Sequence, residues 1–245
     1  MFGITAVGTA TAGYFLSLGS VGLFVLSAIM LRAAITDYKL PVLIILIASL
    51  LALVALLLSS GALLFGQISQ LNVPRTLIAV VLSAAIFVPV FLAGRALEGI
   101  PMINDIMTDI NNPPQFEVVP THRKAFDNSL ELSENRLAFH EKHYGDLAPL
   151  IVEGAPDRYF DKVVALVDAR GWKIVAKNRS KGVIEATDTT VLFGFKDDVV
   201  IRLMAENGAT RIDMRSASRQ GRSDFRVNAN RIEAFLADLR TALNG

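Results

Sequence analysis

The residues best equipped for chemistry lie between Arg211 and Arg231, in RIDMRSASRQGRSDFRVNANR. Six arginines (Arg211, Arg215, Arg219, Arg222, Arg226 and Arg231) stand there against two acids, Asp213 and Asp224. A guanidinium is planar, permanently charged and shaped to take a carboxylate or phosphate through two parallel hydrogen bonds. Ser216, Ser218, Gly221 and Ser223 lie between the arginines. Such a set either binds anions or closes on itself as an internal ion-pair lattice. The candidate ligand-binding residues are Arg202, Arg215, Ser216, Ser218, Arg219, Gly221, Ser223, Asp224, Asn228 and Arg231. Backbone amides where the next helix begins could cradle an anion. Ser223 or Asp224 could instead simply cap that helix.

The elements that must position these residues are legible as periodicities. Pro156–Arg170 is an amphipathic helix: Pro156 suits a first turn, Phe160, Val163, Val164 and Val167 recur at helical spacing, and Gly171 is the stop. The period then changes to two. Trp172–Ala176 and Val183–Thr187 are strands, and Thr190–Phe195 is a third or a continuation of the second. Val199–Ala205 and Thr210–Ala217 follow, joined at Glu206-Asn207-Gly208, a hairpin signal. Phe225–Leu243 is a closing helix. Helix, about four antiparallel strands and helix make a two-layer α+β domain. Alternation assigns the faces. Val199, Ile201, Leu203, Ile212 and Met214 point inward. Glu185, Arg202, Arg211, Asp213 and Arg215 share the other face, as cross-strand charge pairs or as a polar groove.

The first 93 residues have a different chemistry. The chain is 52% hydrophobic with a mean hydropathy of +0.45, above the soluble norm of roughly 45–50%. Only Arg32, Asp37, Lys39 and Arg75 are charged before residue 94. Three apolar runs, about 10–31, 41–65 and 76–93, are each long enough to cross a hydrocarbon core, which takes about 20 residues. Backbone groups in lipid must be satisfied internally, so the runs are expected as helices of a multi-pass anchor. The first run has neither the basic start nor the short apolar core of a signal peptide, so it reads as a retained helix. Gly13, Gly19 and Gly22 put small residues along it, for packing within the anchor or for a homo-oligomer. No Asp, Glu, Lys, Arg or His sits inside a run, which argues against a transporter or pump.

The remaining residues, 94–245, carry 21 Lys/Arg and 22 Asp/Glu. That balance argues against nucleic-acid binding, which wants a net basic footprint. There is no cysteine, hence no disulfide, thiol nucleophile or zinc-thiolate site. Gly94–Val119 reads as a juxtamembrane linker, broken by Pro101, Pro113 and Pro114, and 120–245 as the soluble domain. Asp105 and Asp109 in the linker share a helical spacing but lack further ligands. Ser129–His143 reads as a short helix whose His140 and His143 could share a metal, or sit as surface histidines. Asp197, Asp198 and Asp224 are the acids a hydrolase would use. No Ser-His-Asp order, metal cluster or phosphate loop accompanies them. No catalytic residue, metal or cofactor is assigned.

The positive-inside count gives Arg32, Lys39 and Arg95 against Arg75, which favours a cytosolic soluble domain.

From WKIVAKNRSKGVIEATDTTVLFGFKDDVVIRL through RIDMRSASRQGRSDFRVNANRIEAFLADL, the chain resembles the domain-of-unknown-function family 1499. The residues that carry the resemblance are Glu185-Ala186-Thr187, Phe195 with Asp197-Asp198, Arg202, Arg215-Ser216, Ser218-Arg219, Gly221, Ser223-Asp224, Asn228 and Arg231. Upstream, Ile103-Asn104-Asp105-Ile106, Asn112-Pro113-Pro114 and Tyr144-Gly145-Asp146-Leu147-Ala148-Pro149 belong to the same pattern. It covers about residues 101–241. Some relatives carry Asn-Cys-Val-Ser-Ser after the first prolines, where this chain has Gln115-Phe116-Glu117-Val118. The resemblance implies no activity. It does imply an extracytoplasmic domain, since many relatives look exported or lipoprotein-like. The expectation is therefore a bacterial inner-membrane protein with its domain on the periplasmic side. Its Arg/Ser surface would serve an anionic ligand, a lipid headgroup or a membrane-protein partner. The alternative is a structural or assembly factor with no small ligand.

Overall fold

The structure is a computed structural model that describes residues 2–244. The chain forms two compact units that divide between Glu98 and Gly99.

The first unit is three helices: α1 (Phe2–Ala33), α2 (Lys39–Phe65) and α3 (Val73–Ala96). Each is long and apolar enough to cross a membrane. A 24-residue helix rises about 36 Å, against a hydrocarbon core of about 30 Å. The packing puts small residues inside. Ser17, Ser20 and Ser27 of α1, Ala48, Ala52 and Ala55 of α2, and Ala79 and Ser83 of α3 are buried. Leu43, Leu46, Leu50 and Leu57 face outward. Lipid tails are as apolar as leucine, so helices gain more from close backbone approach than from sequestering large side chains. Gly13 lies against α2: a Cβ there would overlap Ser59 Oγ and stand 3.2 Å from Ala55 O. Gly19 and Gly22 have no such neighbour within 4 Å. The Ser27 hydroxyl donates to Pro41 O at 2.7 Å, and the Arg75 guanidinium lies 4.1 Å over the Tyr14 ring.

The second unit is α+β. Its strands are β1 (Asp105–Met107), β2 (Leu150–Glu153), β3 (Lys173–Asn178), β4 (Val183–Thr189), β5 (Lys196–Glu206) and β6 (Ala209–Ser218). Its helices are α4 (Glu134–Tyr144), α5 (Asp157–Ala169) and α6 (Val227–Asn244). The sheet is antiparallel in the order β1-β6-β5-β4-β3. β2 also pairs with β6, so β1 and β2 lie end to end along one edge of that strand. α5 and α6 cover one face. Phe160, Val163 and Val167 of α5 and Ile232, Phe235 and Leu239 of α6 meet Ile184, Ala186, Val199, Ile201, Leu203, Ile212 and Met214 in one core. Trp172 stacks on Phe235 with ring centroids 5.4 Å apart.

Several sequence expectations change. Thr190–Phe195 is a turn, not a strand: the Thr190 amide donates to Phe195 O at 2.9 Å, and Gly194 sits at φ +69°. The stretch expected as a linker contains β1, because three residues suffice to add an edge strand to β6. The second unit therefore starts near Gly99, not at residue 120. The sheet has six strands rather than about four, since β1 and β2 are too short to show a period. The short helix begins at Glu134, five residues later than its polar pattern suggests.

Candidate functional site

The sheet face away from α5 and α6 is covered by a strap of irregular chain, from Thr108 to Leu130. The strap holds on through side chains of the sheet. Glu185 on β4 has almost no exposure, and its two carboxylate oxygens accept from the amides of Glu117, Val118 and Val119 at 2.7–3.1 Å. A turn at Val119–His122 points these amides at one spot. Arg123 follows, donating through Nε to Asp198 at 2.8 Å and through its other nitrogens to Asn128 O and Ala217 O. Burial lowers the affinity of its guanidinium for the proton, and the Asp198 carboxylate opposes that.

The arginines of the opening motif meet this strap. Arg215 on β6 is 1% exposed. It grips Asp105 of β1 through Nε and Nη2, donates to Leu130 O at 2.8 Å, and lies 5.1 Å over the Phe116 ring. Arg219 grips Asp198 with Nε and Nη2 at 2.9 and 2.8 Å and reaches His122 O. Thr187 donates to the same carboxylate at 2.7 Å. Arg202 and Arg211 share Asp213, each at 3.0 Å, with Asp109 close to both. Each guanidinium thus has a carboxylate of this chain in the position where an external anion would sit.

Ser216, Ser218, Asn228 and Arg231 point the other way, because alternation sends even and odd residues of β6 to opposite faces. Ser216 donates to Asn228 Oδ1 at 2.6 Å, and Asn228 Nδ2 donates to Ser218 Oγ and to Asn104 O. Arg231 of α6 bridges Asp188 and Asp197 at 2.8 and 2.6 Å. Asp224 caps α6 by accepting from the Asn228 and Arg226 amides. Burial raises its carboxyl above the usual 3.8, and those amide bonds counter the rise. Ser223 donates to Pro101 O, and Gly221 at φ +92° offers its carbonyl to Asn104 and Asn128. The ten candidate residues therefore fall into two clusters on opposite faces of the sheet, joined at the β6–α6 loop. Arg222 and Arg226 are the exposed arginines of the opening motif.

Other candidates take ordinary roles. His140 is buried and accepts from the Met107 amide at 3.0 Å, so it is not a surface histidine. His143 lies beside Phe139, with ring centroids 4.5 Å apart. Among the described residues, no three acidic or histidine side chains come together as a metal site. Asp105, Asp109, Arg123 and the amides of 117–119 are members of the lattice that the linker reading passed over. For Asp105 the signal was the Ile103-Asn104-Asp105-Ile106 pattern of the resemblance; Asp109, Arg123 and residues 117–119 carried none.

No curated protein matches the chain. The family described as proteins of unknown function (DUF1499) matches residues 105–239, from the first strand almost to the end of α6. The match takes in both polar clusters and the strap between them, and the chain belongs to that family.

Proposed function

We propose that this chain is a membrane-anchored structural or assembly factor, without a small ligand in its arginine cluster and without enzymatic chemistry. The observation that supports this is the internal partnering of Arg215. Its fork is filled by Asp105, two more of its N–H groups go to the carbonyls of Pro114 and Leu130, and the Phe116 ring lies 5.1 Å from its guanidinium carbon. A binding site for phosphate or carboxylate keeps such a fork open for the guest. Here the fork fastens the strap to the sheet, and the result is a rigid body suited to holding a protein partner. Its place is the bacterial inner membrane with the folded domain on the periplasmic side, which follows the resemblance to exported relatives. Gly19 and Gly22, clear of other atoms on α1, are the positions assigned to self-association.

The test is a pair of measurements on the full chain purified in mild detergent. Inorganic phosphate, glycerol phosphate and a soluble dicarboxylate, each to 10 mM on the order of a weak metabolite site, are expected to leave Tm unchanged. Isolation from native membranes is expected to bring down a stoichiometric protein partner. A saturable rise in Tm with any of the anions, lost in Arg219→Ala, would replace this reading with anion binding.

A further inference from the structure

The β4–β5 turn carries Thr190-Val191-Leu192-Phe193-Gly194-Phe195, an apolar tip. Val191 is 88% exposed and Leu192 59%. The tip is firmly built. The Thr190 and Phe195 backbones are bonded, the Phe195 amide donates to Thr190 Oγ1 at 2.9 Å, and the Gly194 amide donates to Thr190 O at 3.0 Å. The Phe193 and Phe195 rings lie 5.9 Å apart. A disordered loop could fold such residues back, whereas this turn presents Val191 and Leu192 with the half-buried Phe193 and Phe195 behind them.

The same end of the sheet carries other apolar and cationic groups. Lys196 O accepts from the Arg219 amide, which ties the tip to the β6–α6 loop with its exposed Arg222, Phe225 and Arg226. That loop contacts the incoming chain, through Ser223 on Pro101 O and Asn104 O on the Ser218 amide. Exposed Met102 lies between those two anchor points in the sequence. Only four residues, Leu97 to Ile100, separate the end of α3 from Pro101, a reach of about 17 Å at most by full extension. Lys196 adjoins the tip, and the loop tied to it carries Arg222 and Arg226, the latter also 3.7 Å from Glu233; apolar side chains near such cations are the composition that enters an anionic lipid interface.

We propose that the Val191–Phe195 tip inserts into the headgroup and upper acyl region of a bilayer, with Lys196, Arg222 and Arg226 set against anionic headgroups. This rests on reading α1–α3 as membrane spans. The partner is a lipid surface.

The chain has no cysteine, so a single label can be placed without background. Leu192→Cys and, on the exposed outer face of α5, Lys162→Cys would each carry an environment-sensitive nitrobenzoxadiazole. The full chain would be reconstituted in nanodiscs of phosphatidylcholine and phosphatidylglycerol, with and without lipid bearing a doxyl group near the top of the acyl chain. The expected result is at least a twofold loss of emission with doxyl lipid at position 192 and none at 162. Adding Val191→Asp to the labelled chain should abolish that loss. A label at 192 that behaves as at 162 overturns the proposal. So does a label shielded from water yet untouched by doxyl lipid, which marks a protein cover instead. A chain that fails to enter nanodiscs overturns the membrane reading as well, which separates the two failures.

Discussion

Arg215 and Asp105 are joined fork to carboxylate, Nε to Oδ1 at 2.9 Å and Nη2 to Oδ2 at 2.8 Å, across 110 residues of chain. Both side chains are nearly sealed from water. The pair unites the first strand of the folded unit with the last, and Leu130 O ties the end of the strap to the same guanidinium. Breaking a buried pair by removing one partner leaves an uncompensated charge and costs about 3–5 kcal/mol, whereas replacing both by apolar groups is often neutral. Arg215→Ala is therefore expected to lower stability by that amount, and Asp105→Leu with Arg215→Met to recover most of it. Trp172, the one tryptophan in the sequence, reports the folded unit's core in the intact chain. Its fluorescence during denaturation would check both variants.

Glu185 holds the strap through backbone amides, with no arginine in the contact. Glu185→Gln puts an amino group where amide donors converge, so about 1–3 kcal/mol of local stability should go. The core on the α6 side does not depend on this carboxylate. Limited proteolysis is expected to cut near Gln115–Val119 several times faster, while the Trp172 transition moves little. A shift of the whole transition without faster cutting would contradict the assignment.

His140 gives the folded unit an acid-sensitive limb. Burial holds its imidazole below the ordinary 6.5, although the Asp105 carboxylate pulls the other way, and its ring faces Tyr144 one helical turn on. Its Nε2 accepts from the Met107 amide, so protonation must break that bond. The folded state binds this proton less readily than the unfolded one. The contribution is fully present above pH 6.5 and is lost as pH falls through the lowered folded value. Asp224 has the opposite sign, since burial raises its carboxyl and it takes a proton earlier in the folded state than in the unfolded one. His140→Gln can still accept from Met107 and should flatten the fall in Tm that begins as pH drops below 6.5.

The glycines of α1 divide by what they touch. Gly13→Leu would drive a side chain into Ser59 and Ala55 of α2, so the three-helix unit should lose its compact form in detergent. At Gly22 an added Cβ meets nothing within 4 Å, so Gly22→Leu should leave that unit intact. It should abolish crosslinked dimers of the full chain, if Gly19 and Gly22 are where two copies meet. Size-exclusion chromatography and crosslinking of both variants separate the two effects.

Topology is a further checkable outcome. Alkaline phosphatase fused after Gly245 is expected to be active, and green fluorescent protein at the same point dark, for a periplasmic domain. The reverse pattern would mean that Arg32, Lys39 and Arg95 decide orientation, as the positive-inside count has it.

The amino-acid sequence by itself determined three long apolar helices, because roughly 20 uncharged residues in a row admit no other structure in lipid. It also determined the α+β order, the inward face of the sheet and the shared face of Glu185, Arg202, Asp213 and Arg215, because a strand's period of two is a local property. Tertiary structure alone decided which way that charged face looks. Alternation says only that Arg215 lies opposite Met214, not whether water or the strap covers it. Asp105 meets Arg215, Arg123 meets Asp198 and the amides of 117–119 meet Glu185 across 66 to 110 residues of chain. Their segment shows no long period because its regular pieces are only three or four residues long and the amides of 117–119 bond to a side chain of the sheet. Ion pairs between distant residues have no sequence spacing, so the choice between an open anion site and a closed lattice became visible only when the chain had folded over its own arginines.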